Sequence, residues 1–272
     1  MYSQTCGNMQ SHVEGVPILG LQVGFNAKAA LASMDLTKAG FPGPKRVFNG
    51  EHGYFKLIEN GDYDILYLQE NIGKLWMVNQ LAHKPFPSGR LTHGLVHAIK
   101  DLKLKHGLNK DDIESIECFV PPGVYKLVAR PIIDNLTTNY SKLCAKFVGA
   151  SFMINDHLNI ETFTEKKYLN NKDTLNFAKK ITMIKNDKLD QKVLTPQKFI
   201  ITLVNNSKIE INIDHVYGHP KAPLSEKEYL EKFSKCCFSS TNKVDQNQVN
   251  RMLDFIFDLE NKDNVIDFFK TI

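Results

Sequence analysis

The segment His83-Lys84-Pro85-Phe86-Pro87-Ser88-Gly89-Arg90-Leu91-Thr92-His93 crowds fixed positive charge and titratable imidazole around one short stretch of stiff backbone. Lys84 and Arg90 are cations at neutral pH, whereas histidine ordinarily changes charge close to it. Pro85 and Pro87 lock their own φ angles and push the residues before them toward extended geometry, which predicts a helix starting after Pro87 with Ser88 as its N-cap. A helix start carries unpaired N–H groups and the positive end of the helix dipole, so with Lys84 and Arg90 beside it this spot would attract a carboxylate or a phosphate. The same residues also fit an ordinary solvated surface. Arginine usage favours the site: of 34 basic residues only four are arginines, at positions 46, 90, 130 and 251. Where lysine is the default cation, an arginine points to its planar fork, which grips a carboxylate through two parallel hydrogen bonds.

Histidine spacing raises a second chemistry. His93 and His97 stand four apart, the interval that can hold a metal on one face of a helix. A zinc-peptidase helix needs glutamate directly after the first histidine, but Gly94 stands there and no third ligand follows nearby. No metal is therefore expected, and His93 reads as a solvent-facing or acid/base histidine. The five cysteines, at 6, 118, 144, 236 and 237, form no Cys-x-x-Cys pair and are odd in number, so they read as reduced and structural.

Composition narrows the class. With 272 residues, 42% hydrophobic and 24% charged, the chain can bury a sizeable core as one large or two modest domains. The net charge of +4 is spread among interleaved acids, which argues against a nucleic-acid partner. No run of about eighteen apolar residues offers a membrane span, and the N-terminus lacks a basic stretch leading into an apolar one. A cytoplasmic location without membrane contact is the expectation.

The elements that must position the motif can be read from periodicity. Leu21, Phe25, Ala29, Ala32 and Leu36 recur at helical spacing over 16–39, with small residues such as Gly24 and Ala30 permitting close helix contact and Gly40 ending the run. Lys74 to Val78 reads as a strand entering the motif. From Ser88 to His106, Leu91, Leu95, Ala98, Ile99 and Leu102 share one face, and Gly107 stops the helix. Ile113 to Val120 alternates like a strand, and Tyr125 to Val128 looks extended. A helix is expected over 139–154, with Leu143, Phe147, Ala150 and Ile154 as its apolar stripe. Phe199 to Val204 and Ile209 to Val216 make the clearest hairpin. After it, Ser225 and Glu228 form a capping box, and helices follow over 245–259 and 264–269. Strands interrupted by helices without a regular βαβ alternation indicate an α+β module placed between helical segments from both ends.

Four segments in order carry a family resemblance: Gly-Phe-Asn-Ala-Lys-Ala-Ala (24–30), Gly-Pro-x-x-Val-Phe-x-Gly-x-x-Gly-Tyr-Phe (43–55), Lys-Pro-Phe-Pro-Ser-Gly-Arg-x-Thr-His (84–93) and Gly-His-Pro-x-x-Pro-Leu-Ser (218–225). Together they resemble the MmgE/PrpD family, which includes 2-methylcitrate dehydratases and cis-aconitate decarboxylases. The resemblance implies a helical domain from both chain ends, 1–82 and 217–272, and an inserted α+β lid domain, 83–216, with an antiparallel sheet. It further implies Lys84 and His93 as catalytic groups, Arg90, Ser88 and Gln22 as substrate-binding groups, a small polycarboxylate as substrate, and no metal or organic cofactor.

The comparison also implies departures. Family members are longer, so the chain is expected to open partway through the helical domain and to lack the upstream half of the site. Leu19 and Gln22 stand where many members carry a lysine and a histidine; Leu19 reads as core, and Gln22 can hydrogen-bond but not exchange protons near neutral pH. Phe147 falls where a lid-helix tyrosine is common and reads as core. Three readings follow: a chain inactive alone, the C-terminal half of a split lyase, or a non-catalytic oligomerisation module. The expected partner is a second copy or a chain supplying the missing helical half.

Overall fold

The computed structural model describes residue 7 and residues 10–14 and 16–271, without the side chains of His12, Val13 and Leu19. Cys6 and the core reading of Leu19 lie outside the described residues. The helices are α1 (Gln10–Glu14), α2 (Ile18–Lys38), α3 (Tyr54–Leu57), α4 (Ile65–Asn71), α5 (His93–His106), α6 (Pro122–Val128), α7 (Thr138–Lys142), α8 (Ala145–Asn155), α9 (Glu161–Thr164), α10 (Lys166–Leu169), α11 (Lys172–Lys179), α12 (Glu226–Phe238) and α13 (Gln246–Phe257). The strands are β1 (Ile113–Val120), β2 (Ile181–Lys185), β3 (Gln197–Leu203) and β4 (Lys208–Ile213). None of the described helices is long and apolar enough to cross a membrane.

The fold is α+β, but its sheet is mixed rather than antiparallel. Strand order is β2-β1-β3-β4, with β1 parallel to β2 and the other pairs antiparallel. A parallel pair needs a long crossover, and helices α6 to α11 supply it. Alternation puts Ile116, Cys118, Val120, Ile181, Met183, Phe199, Ile201, Ile211 and Ile213 on one buried face. The register stacks them: Ile116 lies between Ile181 and Ile201, and Cys118 between Met183 and Phe199. The opposite face carries polar pairs such as Lys198 with Glu210 at 2.7 Å. The β3–β4 hairpin closes through Asn206 in the left-handed region (φ 67°), and Asn205 Oδ1 accepts from Ser207 N.

Helix α5 presents Leu95, Val96, Ile99 and Leu102 to this core, all essentially inaccessible. Gly107 ends it with a left-handed φ of 65°, its N–H returning to the Leu102 and Lys103 carbonyls. Helix α8 crosses α5 at Gly149, where an added Cβ would lie 2.6 Å from Leu95 Cδ2. Phe147 is fully buried on α8, its ring 6.3 Å from that of Phe163.

Several expected elements differ. Tyr125 to Val128 is not extended but the end of α6, because Pro122 fits the first helical turn and Val124 and Val128, four apart, both reach the core. Lys74 to Val78 is no strand: it finds no neighbouring strand, and Met77–Gln80 forms a 3₁₀ turn. The helix expected over 139–154 is broken at Leu143 and Cys144, where Cys144 is extended and its Sγ reaches the Arg130 carbonyl at 3.4 Å. The last expected helix is a 3₁₀ helix, Val265–Lys270. On α2 the apolar stripe faces solvent; of its described side chains only Ala29 is buried, and nothing lies within 4 Å of a Cβ placed at Gly20 or Gly24.

Candidate functional site

Two of the sequence motifs, far apart along the chain, meet in space. His83 N donates to Gly218 O at 2.8 Å, and Gly218 N donates to Ala222 O at 2.8 Å. Gly218 is needed there: its φ is +88°, and a Cβ would lie 2.2 Å from His83 O. Arg90 completes the junction with a two-pronged contact, Nη1 to Tyr217 O at 2.7 Å and Nη2 to Val216 O at 3.1 Å. The fork expected to grip a carboxylate is thus committed to main-chain carbonyls, and it anchors the 84–93 segment to the 216–218 turn.

Ser88 is not an N-cap. Gly89 stays extended, a 3₁₀ turn over Arg90–Thr92 follows, and the residue before α5 is Thr92. The Ser88 hydroxyl is used elsewhere, 2.9 Å from Thr92 Oγ1 and 3.0 Å from His93 Nε2. Thr92 Oγ1 donates its single proton to Gly89 O at 2.8 Å, so it accepts from Ser88. Ser88 in turn accepts from His93, which places the imidazole proton on Nε2. A one-way chain results, from His93 through Ser88 and Thr92 to the Gly89 carbonyl.

His93 is not solvent-facing; it is fully buried, with the Phe86 ring edge-on at 5.3 Å and, among the described residues, no hydrogen-bond partner for Nδ1. Burial, reinforced by the positive charges of Arg90, Lys84 and Lys232, pulls its pKa down to about 3. It is therefore a neutral imidazole at physiological pH. His97 is half-buried and accepts from Tyr217 N at Nδ1, 3.3 Å away. Its pKa is lowered too, by burial first and then by Lys105, Lys100 and Arg90, with Asp101 opposing. The two histidines thus face different partners, and among the described residues no group of three or more His, Cys, Asp or Glu is placed to hold a metal.

A cleft of about 380 Å³ opens beside the motif. Lys84, Ser88 and Gly89 form one side, Asn139 and Lys142 of α7 a second, and Pro17 and Gly20 at the start of α2 a third. Among the described residues no Asp or Glu lines it. Its two cation-bearing segments are in main-chain contact: Gly89 N donates to Lys142 O at 2.8 Å, and a Cβ on Gly89 would lie 2.8 Å from Leu143 Cδ2. Lys84 and Ser88 therefore face the cleft, His93 lies behind Ser88, and Arg90 holds the loop from outside. Gln22 is on α2 beside Gly7 and does not line the cleft.

The sequence profile of the MmgE/PrpD C-terminal domain matches residues 86–255. The chain belongs to the MmgE/PrpD family. No match to a curated protein was found. The span matching the MmgE/PrpD profile takes in Ser88, Arg90, His93, Asn139 and Lys142, whereas Lys84 lies two residues ahead of it and Gln22 well outside.

Two further groups in and behind this candidate site escaped sequence reasoning. Lys142 and Asn139 carry no local signal, being one lysine and one asparagine in a chain rich in both. The other group is a buttress formed by Tyr217, Glu228 and Lys100. Lys100 Nζ stands 4.2 Å from the Tyr217 ring centre and 3.4 Å from Glu228 Oε1, and Glu228 also closes the capping box with Ser225. Burial pushes the Glu228 carboxyl up, but the Tyr217 hydroxyl, the Ser225 amide and hydroxyl and the Lys100 ammonium outweigh it and hold it at about 2. The capping box was legible in the sequence; its long-range partners were not.

Proposed function

We propose that this MmgE/PrpD member binds a small polycarboxylate in the cleft at Lys84, at a site of lyase or isomerase type whose proton-transfer groups are completed by another chain. The observation that carries this reading is the cleft itself: cationic, free of carboxylates, and of a size within the roughly 300–1,000 Å³ that encloses small ligands. In this reading Lys84 grips a substrate carboxylate and Ser88 orients it by hydrogen bonding. Arg90 and His93 act as positioning residues, the first through the 216–218 turn and the second through the Ser88 hydroxyl.

Two features support dependence on a partner. The imidazole nearest the cleft is buried, neutral and donating to Ser88, so it is poorly placed to take a substrate proton. In addition Leu21, Val23, Phe25 and Leu31 on α2, and Trp76, Met77 and Val78 beyond it, expose large apolar surfaces suited to cover by further helices, from a second copy or a different chain. Dehydration, decarboxylation and epimerisation all remain compatible with a carboxylate-holding wall.

The test is calorimetric binding of cis-aconitate and 2-methylcitrate to the purified chain, with turnover followed by ultraviolet absorbance. Binding without turnover is expected. Absence of binding by either acid would overturn the reading of the cleft, and turnover by the isolated monomer would overturn the need for a partner.

A further inference from the structure

We propose that Lys142 is a second anion anchor in this cleft and makes it select ligands with two or more carboxylates over monocarboxylates. The inference rests on reading the cleft as a carboxylate site and adds the residue that sets its charge preference. Lys84 and Lys142 reach the cleft from different elements, the loop before α5 and the last residue of α7. Their spacing is held by main chain, because the Gly89 amide is hydrogen-bonded to the Lys142 carbonyl and the missing Cβ of Gly89 lets Leu143 sit against it.

Both lysines line the cleft, and neither is tied up in an ion pair with a carboxylate of the described residues. Two ammonium groups lining one cleft repel each other until an anion sits between them. A ligand with two carboxylates relieves that repulsion and gains a charge-assisted hydrogen bond at each end; a monocarboxylate gains only one. Lys142 is half-buried, so its contact is screened less by solvent than one at a free surface. The wall formed by Pro17 and Gly20 brings no charge to compete and suits the ligand's hydrocarbon backbone.

The experiment is calorimetric titration of the full chain with tricarballylate and with butyrate at one fixed, low ionic strength. The wild type should prefer tricarballylate by about tenfold or more, the worth of one additional charged hydrogen bond. Lys142→Gln should remove most of that preference while leaving butyrate binding intact, Lys142→Arg should retain it, and Lys84→Gln should weaken both ligands. Circular dichroism checks that each variant is folded. Tight, selective tricarballylate binding that survives Lys142→Gln would overturn the role of Lys142 and leave the carboxylate cleft standing. No binding of either acid by the wild type would overturn both.

Discussion

Acid should destabilise this protein through one buried imidazole, and the effect can be separated from that of every other titrating group. His93 has an ordinary pKa of 6.5 when unfolded and about 3 in the folded chain, because protonation would place a charge in the core beside Arg90 and Lys84. The folded form favours the neutral ring, so the stability it contributes is complete above pH 6.5 and drains away as pH falls toward 3. A difference of about 3.5 pH units corresponds to about 5 kcal/mol in full, and the part lost between pH 6 and pH 4 is about 2.5 kcal/mol. The perturbation is His93→Gln, which keeps an N–H for Ser88 but does not titrate. Urea unfolding of wild type and variant at pH 6, 5 and 4 then gives two slopes of stability against pH. Every other group is common to both proteins, so the difference between the slopes belongs to His93. The wild type should lose about 2.5 kcal/mol more than the variant across that interval. Parallel slopes, or an imidazole resonance of His93 titrating near 6.5, would refute the reasoning.

The two remaining predictions concern packing and the buttress behind the site. Gly149→Ala should lower stability by about 1–3 kcal/mol, because its methyl group would meet Leu95 and Ile99 where α8 crosses α5; a thermal melt unchanged from wild type would show that the two helices can part at no cost. Tyr217→Phe should raise the Glu228 carboxyl from about 2 toward the ordinary range by deleting one of the donors that hold it down. Because the carboxyl is depressed from 4.5 to about 2, its stabilising contribution is complete above pH 4.5 and is lost as pH falls from there through about 2. Carbon-13 titration of the glutamate side chains reads the shift directly, and an unmoved Glu228 would remove Tyr217 from the buttress.

Local signals in the chain were translated faithfully where neighbours a few residues apart decide the outcome. Gly107 ends α5 because glycine, with no Cβ, takes a φ of 65° readily, and the Ser225–Glu228 box starts α12 through contacts three residues apart. The β3–β4 hairpin was legible from two apolar runs around an Asn-Asn-Ser turn. The α+β class followed from the order of such elements. The mixed sheet did not, because β2 is only five residues long and its parallel place beside β1 depends on a crossover of six helices packing as a unit.

Side-chain roles divide along the same line. The sequence determined that Lys84, Ser88, Arg90 and His93 would sit together, since ten residues of stiff, Pro-flanked chain leave them little room to separate. Only the tertiary structure decided what each one faces. Arg90 turned from an expected ligand clamp into an anchor because the 216–217 carbonyls, 126 and 127 residues away, arrive with lone pairs to fill its fork. His93 became a buried neutral donor because the core closed over it, and Lys142 joined Lys84 because Gly89 lets α7 approach without a clash. Charge, stiffness and spacing are written into the chain, whereas desolvation and the choice of partner depend on which distant segments fold against it.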